Sequence, residues 1–98
     1  MIKQFTVCAY SSSLVVVLTN TVFNDVESIL IAPIKSSGSR QLVQDLQIPC
    51  NIDNQHYFVD LLDIATVSKR FLKAKKNSDL SHLRDPIKAG IDLLIDGF

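Results

Sequence analysis

The side chains best suited to chemistry in this 98-residue sequence are scattered, and none falls in a recognised catalytic spacing. A general acid–base site of the ribonuclease type needs a proton acceptor, a proton donor and cations that hold a phosphate. Arg40, Asp53, His56 and Arg70 are the residues that could supply these groups. Their spacing does not place them together, so the sequence favours ordinary exposed positions in turns and at strand edges.

Metal, phosphate and acyl-transfer sites also lack their sequence patterns. Cys8, Cys50, His56 and His82 never approach the C-x-x-C or H-x-x-x-H spacing of metal ligands. The three glycines stand alone, so there is no phosphate loop, and no G-x-S-x-G nucleophile motif occurs. We therefore expect no cofactor and no metal, and two cysteines that are free and buried. A general acid–base site stays an alternative, because residues distant in the sequence can meet in the fold.

The most informative segment is residues 80–98, whose pattern predicts an amphipathic helix. Apolar side chains recur along it at the spacing of a helical stripe, at Ile87, Ile91, Leu94, Ile95 and Phe98. Pro86 suits the first turn, and Asp85 or Ser81 could cap the helix before it. Gly97 is suited to end the helix, because it adopts a left-handed backbone without strain.

Acidic groups gather at the end of this predicted helix. Asp92, Asp96 and the carboxylate of Phe98 add to the negative end of the helix dipole, at a cost of up to ~1 kcal/mol for each charge. Beside Ile95 and Phe98, these charges suit a basic partner that has an apolar pocket. The alternative is that water and salt screen them and that they have no role.

The rest of the sequence predicts β-structure in a single domain, residues 1–98. The predicted strands cover residues 4–10, 14–19, 28–34, 48–52, 55–62 and 64–74, with a single helical turn at 41–46 and turns at 11–13, 53–54 and 75–78. Pro33 indicates a sheet edge or the end of a strand, since proline donates no hydrogen bond. A bend is expected near Ser68. The predicted fold is mainly β with one C-terminal α-helix, in a small twisted, partly closed barrel.

Composition excludes several classes of partner. Ten Lys and Arg balance ten Asp and Glu, and the zero net charge, with no basic stripe apparent, argues against a general nucleic-acid binder. The apolar runs are too short to span a membrane, and the first residues do not resemble a secretory signal, so a cytoplasmic protein is expected.

Four segments together resemble the CcdB family of bacterial toxins. Residues 79–98, DLSHLRDPIKAGIDLLIDGF, resemble the family's C-terminal helix, and 4–7 (QFTV) resemble its first strand. Residues 31–34 (IAPI) resemble its V-I-P-L-like segment, and 63–67 (DIATV) its D-M-A-S-V segment. Their order and spacing agree with the family over nearly the whole chain. Asp96 stands where some members have tryptophan, and Phe98 replaces the usual last isoleucine.

The resemblance implies an SH3-like, partly open barrel of the CcdB and MazF type that forms a homodimer. It also implies a plasmid or chromosomal toxin that binds the A subunit of DNA gyrase, traps gyrase on cleaved DNA and is released by a CcdA-like antitoxin. Such a toxin is an inhibitor that has no catalytic activity of its own. The gyrase-binding positions implied by the resemblance are Val22, Phe23, Asp92, Ile95, Asp96, Gly97 and Phe98. A ribonuclease toxin of the MazF or Kid type, and an inactive relative that binds only an antitoxin, are the alternatives, because fold alone does not decide function.

Overall fold

A seven-stranded antiparallel sheet and one helix make up the protein. The structure is a computed structural model and describes residues 2–20, 27–38 and 41–97. The strands are β1 (Thr6–Tyr10), β2 (Ser13–Val17), β3 (Ser28–Ser36), β4 (Gln47–Ile52), β5 (Gln55–Asp60), β6 (Ala65–Ser68) and β7 (Leu72–Asp79), and the helix is α1 (Arg84–Asp96). The predicted class, mainly β with one C-terminal helix, is confirmed.

Along one side, the long strand β3 pairs with two different strands. Its first half, residues 28–31, pairs with β6, and its last three residues, 34–36, pair with β5. Ala32 and Pro33 lie between these two pairings, although both pair with β2 on the other side. Pro33 therefore lies where β3 changes partners, at a position where no backbone N–H has to donate a hydrogen bond to β5 or β6. The expectation of a sheet edge or strand end at Pro33 was wrong for this reason.

Five strands curl into a small barrel with its own apolar interior. β6, β3, β2, β1 and β7 are neighbours in that order, and the one-turn 3-10 helix Lys69–Phe71 joins β6 directly to β7. The barrel cluster consists of Cys8, Val15, Val17, Ile29, Ile31 and Leu72. The predicted bend near Ser68 is confirmed, and it divides the predicted strand 64–74 into β6 and β7.

A second core joins the outside of the barrel to α1 and the β4–β5 hairpin. The largest completely buried members of this helix-side cluster are Val7, Val16, Val59, Leu61, Leu80 and Ile87. Alternate residues of β1 and β2 thus face the two clusters, because successive side chains of a strand point to opposite faces. A strand that is buried on both faces reads as a continuous apolar run, as Leu14 to Leu18 does.

Local backbone geometry confirms some turn predictions and corrects others. Asp53 and Asn54 have φ of 52° and 65°, as the tight hairpin between β4 and β5 requires. The predicted helical turn at 41–46 is reduced to one hydrogen-bonded turn, in which the N–H groups of Leu46 and Gln47 donate to the Val43 carbonyl oxygen at 3.3 and 2.9 Å. Asp45, with φ of 70°, prevents it from continuing as a helix. The predicted turn at 75–78 is part of β7. Asn77 (φ 61°) marks a shift in the pairing of β1 with β7, so β7 bulges and continues.

The start of α1 differs from the prediction. A 3-10 turn, Ser81–Leu83, precedes Arg84, and neither Ser81 nor Asp85 caps the helix with its side chain. Asp79 takes that role one turn earlier, because its carboxylate accepts a 2.7 Å hydrogen bond from the backbone N–H of Ser81. Hydrogen bonds from the Ser81 side chain and backbone lower the pKa of Asp79, despite partial burial.

Candidate functional site: the exposed end of the helix

The two halves of α1 have different surroundings. Ile87 is fully buried, and Ile91 packs partly buried on the helix-side cluster, as the sequence predicts. Gly90 lies against Leu61 and the backbone of Asp45, closely enough that a Cβ there would overlap both. The first half of α1 is thus fixed to the 3-10 turn Leu61–Asp63 and to the loop before β4.

The second half of α1 presents apolar side chains to solvent. Leu94 lies seven residues after Ile87 on the same stripe, yet 43% of it is exposed, and Ile95 is 74% exposed. The apolar stripe of α1 is thus longer than the part of the helix that the barrel covers. The first half of the predicted stripe is therefore packed, and the second half is exposed.

The acidic positions lie along one side of this exposed apolar surface. Asp92 and Asp96 are one helical turn apart, and Ile95 lies about 60° from the first and about 100° from the second around the axis, since each residue advances about 100°. Both carboxylates are exposed, and the last turn carries no basic residue that would offset the helix dipole. The site therefore combines two negative charges and an apolar side chain on one face. We call this face, Asp92, Ile95 and Asp96, the helix-tip face.

Gly97 ends α1 as predicted. It has φ of 69°, and its backbone N–H donates a 2.9 Å hydrogen bond to the carbonyl oxygen of Leu93. This left-handed residue redirects the backbone directly after Asp96. Val22, Phe23 and Phe98, the other positions expected from the resemblance, lie outside the described residues.

Two more exposed apolar side chains lie close in sequence to residues that contact α1. Leu61 and Asp45 both contact Gly90, and each has an exposed apolar residue nearby, Leu62 (48%) and Val43 (47%). Val43 lies in the turn just before Asp45 and is exposed. Together with Leu94 and Ile95, these are four of the five large apolar side chains exposed within the described ranges; the fifth is Phe71. Such a concentration is typical of an interaction surface.

Three of the residues considered for ribonuclease chemistry, Asp53, His56 and Arg70, are described by the structure, and no hydrogen bond or ion pair joins any two of them. Asp53 lies in the β4–β5 turn and forms a 2.9 Å ion pair with Lys75, while Arg70 stacks 5.0 Å from the ring centre of Phe71. His56 is exposed on β5, and its backbone oxygen accepts hydrogen bonds from the side chain and the backbone N–H of Ser37. Arg40 lies outside the described residues. Within the described ranges, no group of three His, Cys, Asp or Glu is arranged to hold a metal.

One charged group lies in the core beneath the helix. Asp60, buried at the end of β5, accepts a 2.8 Å hydrogen bond from Lys35 Nζ and a 3.1 Å hydrogen bond from the Leu62 N–H. Burial alone would raise its pKa, but hydrogen bonds from Lys35, Leu62 and Gln47 outweigh burial and lower it. Lys35 also contacts Asp63 at 2.6 Å, and its hydrogen bonds to the two carboxylates raise its pKa. This cluster anchors the 3-10 turn on which α1 rests.

Comparison with known proteins identifies the family. The family model described as "CcdB protein" matches residues 4–97. The chain belongs to the CcdB family. The match confirms the resemblance seen in the sequence, and membership in this family supports the function of a toxin and implies an antitoxin as a partner. No curated protein sequence gives a significant match.

Solved structures agree with the CcdB-family fold. A structure described as "Crystal structure of Mtb toxin" superposes with a TM-score of 0.71 at 18% identity, covering 87% of this chain and 94% of that one. At this identity the likeness concerns the fold alone. Within the described residues of this CcdB-family chain, no helix is both long and apolar enough to cross a membrane.

Proposed function

We propose that this protein is a toxin that binds the A subunit of DNA gyrase through the helix-tip face and traps gyrase on cleaved DNA. The observation that carries the proposal is Ile95, 74% exposed and beside the exposed residues Asp92 and Asp96 on the same face of α1. Family membership makes a toxin the starting point. The helix-tip face then supplies a rigid surface, because Ile87 and Gly90 fix the helix that carries it.

The chemistry of the helix-tip face defines the partner surface. Exposed aspartates at the negative end of a helix attract arginine and lysine, and charge-assisted hydrogen bonds to them are about twice as strong as neutral ones. Ile95 would enter an apolar pocket beside those cations. An arginine of gyrase could therefore pair with Asp96, where some family members place a tryptophan ring.

A homodimer forms part of the same proposal. Leu94 points roughly opposite to Asp96 around the helix, about 200° away, toward the side on which Gly90 meets Leu61. Leu62 and Val43 are exposed next to that contact. A second copy could cover Leu94, Leu62 and Val43 while leaving the helix-tip face available. We also propose that a CcdA-like antitoxin competes for this toxin and removes it from gyrase.

Gyrase-mediated linearisation of plasmid DNA by the purified protein tests the gyrase proposal. Asp96→Arg should lower linearisation at least tenfold, because like charges across an interface cost several kcal/mol. Asp85→Arg is the matched control: it makes the same exchange at an exposed site in the first turn of α1 and should retain linearisation. Removal of residues 97 and 98 should abolish trapping while the circular dichroism spectrum stays unchanged.

Two results would contradict the proposal. If the truncated protein and Asp96→Arg linearise DNA as well as the unaltered protein, the helix-tip face is not the gyrase site. If the unaltered protein leaves gyrase unaffected but cleaves RNA, the toxin is a ribonuclease instead.

A further inference from the structure

The positive charge of this neutral protein is concentrated at one place in the fold. Five of its ten cationic residues lie between positions 69 and 76, on the 3-10 turn Lys69–Phe71 and on β7, and no acidic residue occurs between Asp63 and Asp79. Net charge therefore conceals a basic stripe, and the expectation that none exists needs correction. A local field of this kind attracts polyanions whatever the total charge.

The cations of β7 are accessible at the edge of the sheet. β7 is the last strand in the sheet order and pairs only with β1 among the described strands. Lys75 is held by Asp53, but Lys73 and Lys76 are exposed and form no ion pair with the described residues. Lys73 and Lys76 are three residues apart, which separates them by about 10 Å along the strand. Because successive side chains alternate, they point to opposite faces of the strand. A polyanion lying along the edge can contact both.

An exposed aromatic ring lies at one end of this edge. Phe71 directly precedes β7, is 56% exposed, and has the Arg70 guanidinium stacked 5.0 Å from its ring centre. Phe71, Tyr10 and Ser11 line an open hollow of about 450 Å³. The hollow is large enough to accept a planar ring against Phe71, and Arg70 is placed to contact a phosphate beside it.

We propose that the β7 edge, formed by Arg70, Phe71, Lys73 and Lys76, binds single-stranded nucleic acid without sequence preference. Lysines that follow a strand, combined with an exposed aromatic platform, are the features by which proteins hold single strands. The cations contact successive phosphates, and one base stacks on Phe71. This activity is separate from the helix-tip face.

Two alternative roles for the β7 edge fit its residues less well. Lysine on an edge strand discourages pairing with other sheets, but that role does not call for an exposed phenylalanine stacked with arginine. An acidic peptide could add to the sheet as another strand. However, the bulge at Asn77 and the Lys75–Asp53 ion pair interrupt the regular edge that strand addition uses.

Fluorescence anisotropy with a labelled 12-nucleotide single-stranded DNA, titrated with the full-length protein, tests the proposal. With about three phosphate contacts, affinity should fall roughly 20-fold between 50 and 200 mM salt. Lys73→Gln with Lys76→Gln should weaken binding at 50 mM salt at least fivefold and leave about one third of the salt slope. Phe71→Ala should weaken binding about tenfold and leave the slope unchanged.

Matched controls distinguish binding at the β7 edge from general attraction between opposite charges. Lys3→Gln with Lys88→Gln removes the same charge from exposed lysines elsewhere and should bind as the unaltered protein does. A 12-base-pair duplex of the same sequence should bind more weakly than the single strand, because its bases are not free to stack. Plasmid linearisation by gyrase should survive the β7 substitutions, so this proposal can fail independently of the gyrase proposal.

The proposal is overturned if the single strand does not bind at 50 mM salt, or if the two double variants lose affinity equally. Tighter binding of the duplex, or no effect of Phe71→Ala, would show ordinary charge attraction without base stacking. Binding of poly-glutamate with an affinity above that of the single strand would indicate an acidic peptide as the occupant. Circular dichroism confirms folding, and Phe71→Leu, which keeps apolar bulk but no ring, replaces Phe71→Ala if that variant unfolds.

Discussion

Gly90 on α1 lies directly against the carbonyl oxygen of Asp45, so that a Cβ added at Gly90 would stand 2.5 Å from this oxygen and 2.4 Å from Leu61 Cδ1. Asp45 itself has φ of 70°, so a tight turn delivers its carbonyl to the helix. The contact sets how closely α1 approaches the barrel. It explains why a glycine occupies the middle of a helix, where it costs roughly 0.5–1 kcal/mol relative to alanine.

Gly90→Ala should therefore destabilise the protein although alanine favours helix. Relief of the overlap requires movement of the Asp45 backbone, and we expect a loss of about 1–3 kcal/mol in the free energy of unfolding, measured in urea. Gly97→Ala is the comparison, because a Cβ there meets nothing within 4 Å and costs only about 1–2 kcal/mol of left-handed strain. A more stable Gly90→Ala protein would show that the helix does not pack this closely.

Stability in acid should depend on Asp60. Its folded-state pKa is lowered, so the stability it contributes is present above its unfolded pKa, near 4, and is lost as pH falls through the lower folded value. Lys35→Ala should cost about 1–3 kcal/mol at pH 7, because the buried carboxylate loses its cation.

Urea unfolding between pH 2 and pH 7 measures this dependence. Asp60→Asn should flatten the decline in stability below pH 4, since the ionising group is gone. Asp85→Asn, which removes an exposed carboxylate with no ion pair among the described residues, is the control. If Asp60→Asn and the unaltered protein lose stability identically as the pH falls, Asp60 is not the cause of the loss of stability in acid.

The two cysteines should be unreactive and dispensable. Both are free and buried, Cys8 in the barrel cluster and Cys50 in the helix-side cluster, as the sequence predicted. Burial raises the pKa of both thiols, that of Cys50 to about 11, so little thiolate forms at pH 8. In the native protein, a disulfide reagent should react with the thiols only as fast as the protein opens. In denaturant, the same reagent should react with both thiols.

The double variant Cys8→Ala, Cys50→Ala tests the functional half of this prediction. It should lose about 1 kcal/mol of stability for each site and keep its effect on gyrase. Rapid labelling of the native protein, or a folded double variant without activity, would contradict the prediction.

Self-association should depend on the apolar side of α1. Leu62→Asp with Leu94→Asp should convert a dimer to a monomer in sedimentation at micromolar concentration, because each change places a charge in the proposed apolar interface. Phe71→Asp, the same kind of exchange at an exposed apolar residue remote from α1 in the sequence, should leave the dimer intact. A monomer for the unaltered protein would refute the proposed homodimer.

Elements with strong local signals were predictable from the sequence. The stripe at Ile87 and Ile91, the proline in the first turn and the glycine stop identify α1 from neighbouring residues alone. The Asp53–Asn54 hairpin follows from residues that tolerate positive φ. For such elements the backbone preference and the burial pattern agree over a few residues, so no long-range contact is needed to decide them.

Tertiary structure decided where Pro33 lies, which apolar residues are covered and where charge accumulates. Pro33 is tolerated inside β3 because β6 and β5 pair with different halves of that strand, 30 residues or so later in the chain. Ile87 and Leu94 are alike in the sequence pattern, and only the extent of the barrel makes one core and the other surface. Sequence spacing reports which side chains share a face, whereas burial depends on what distant segments place opposite that face.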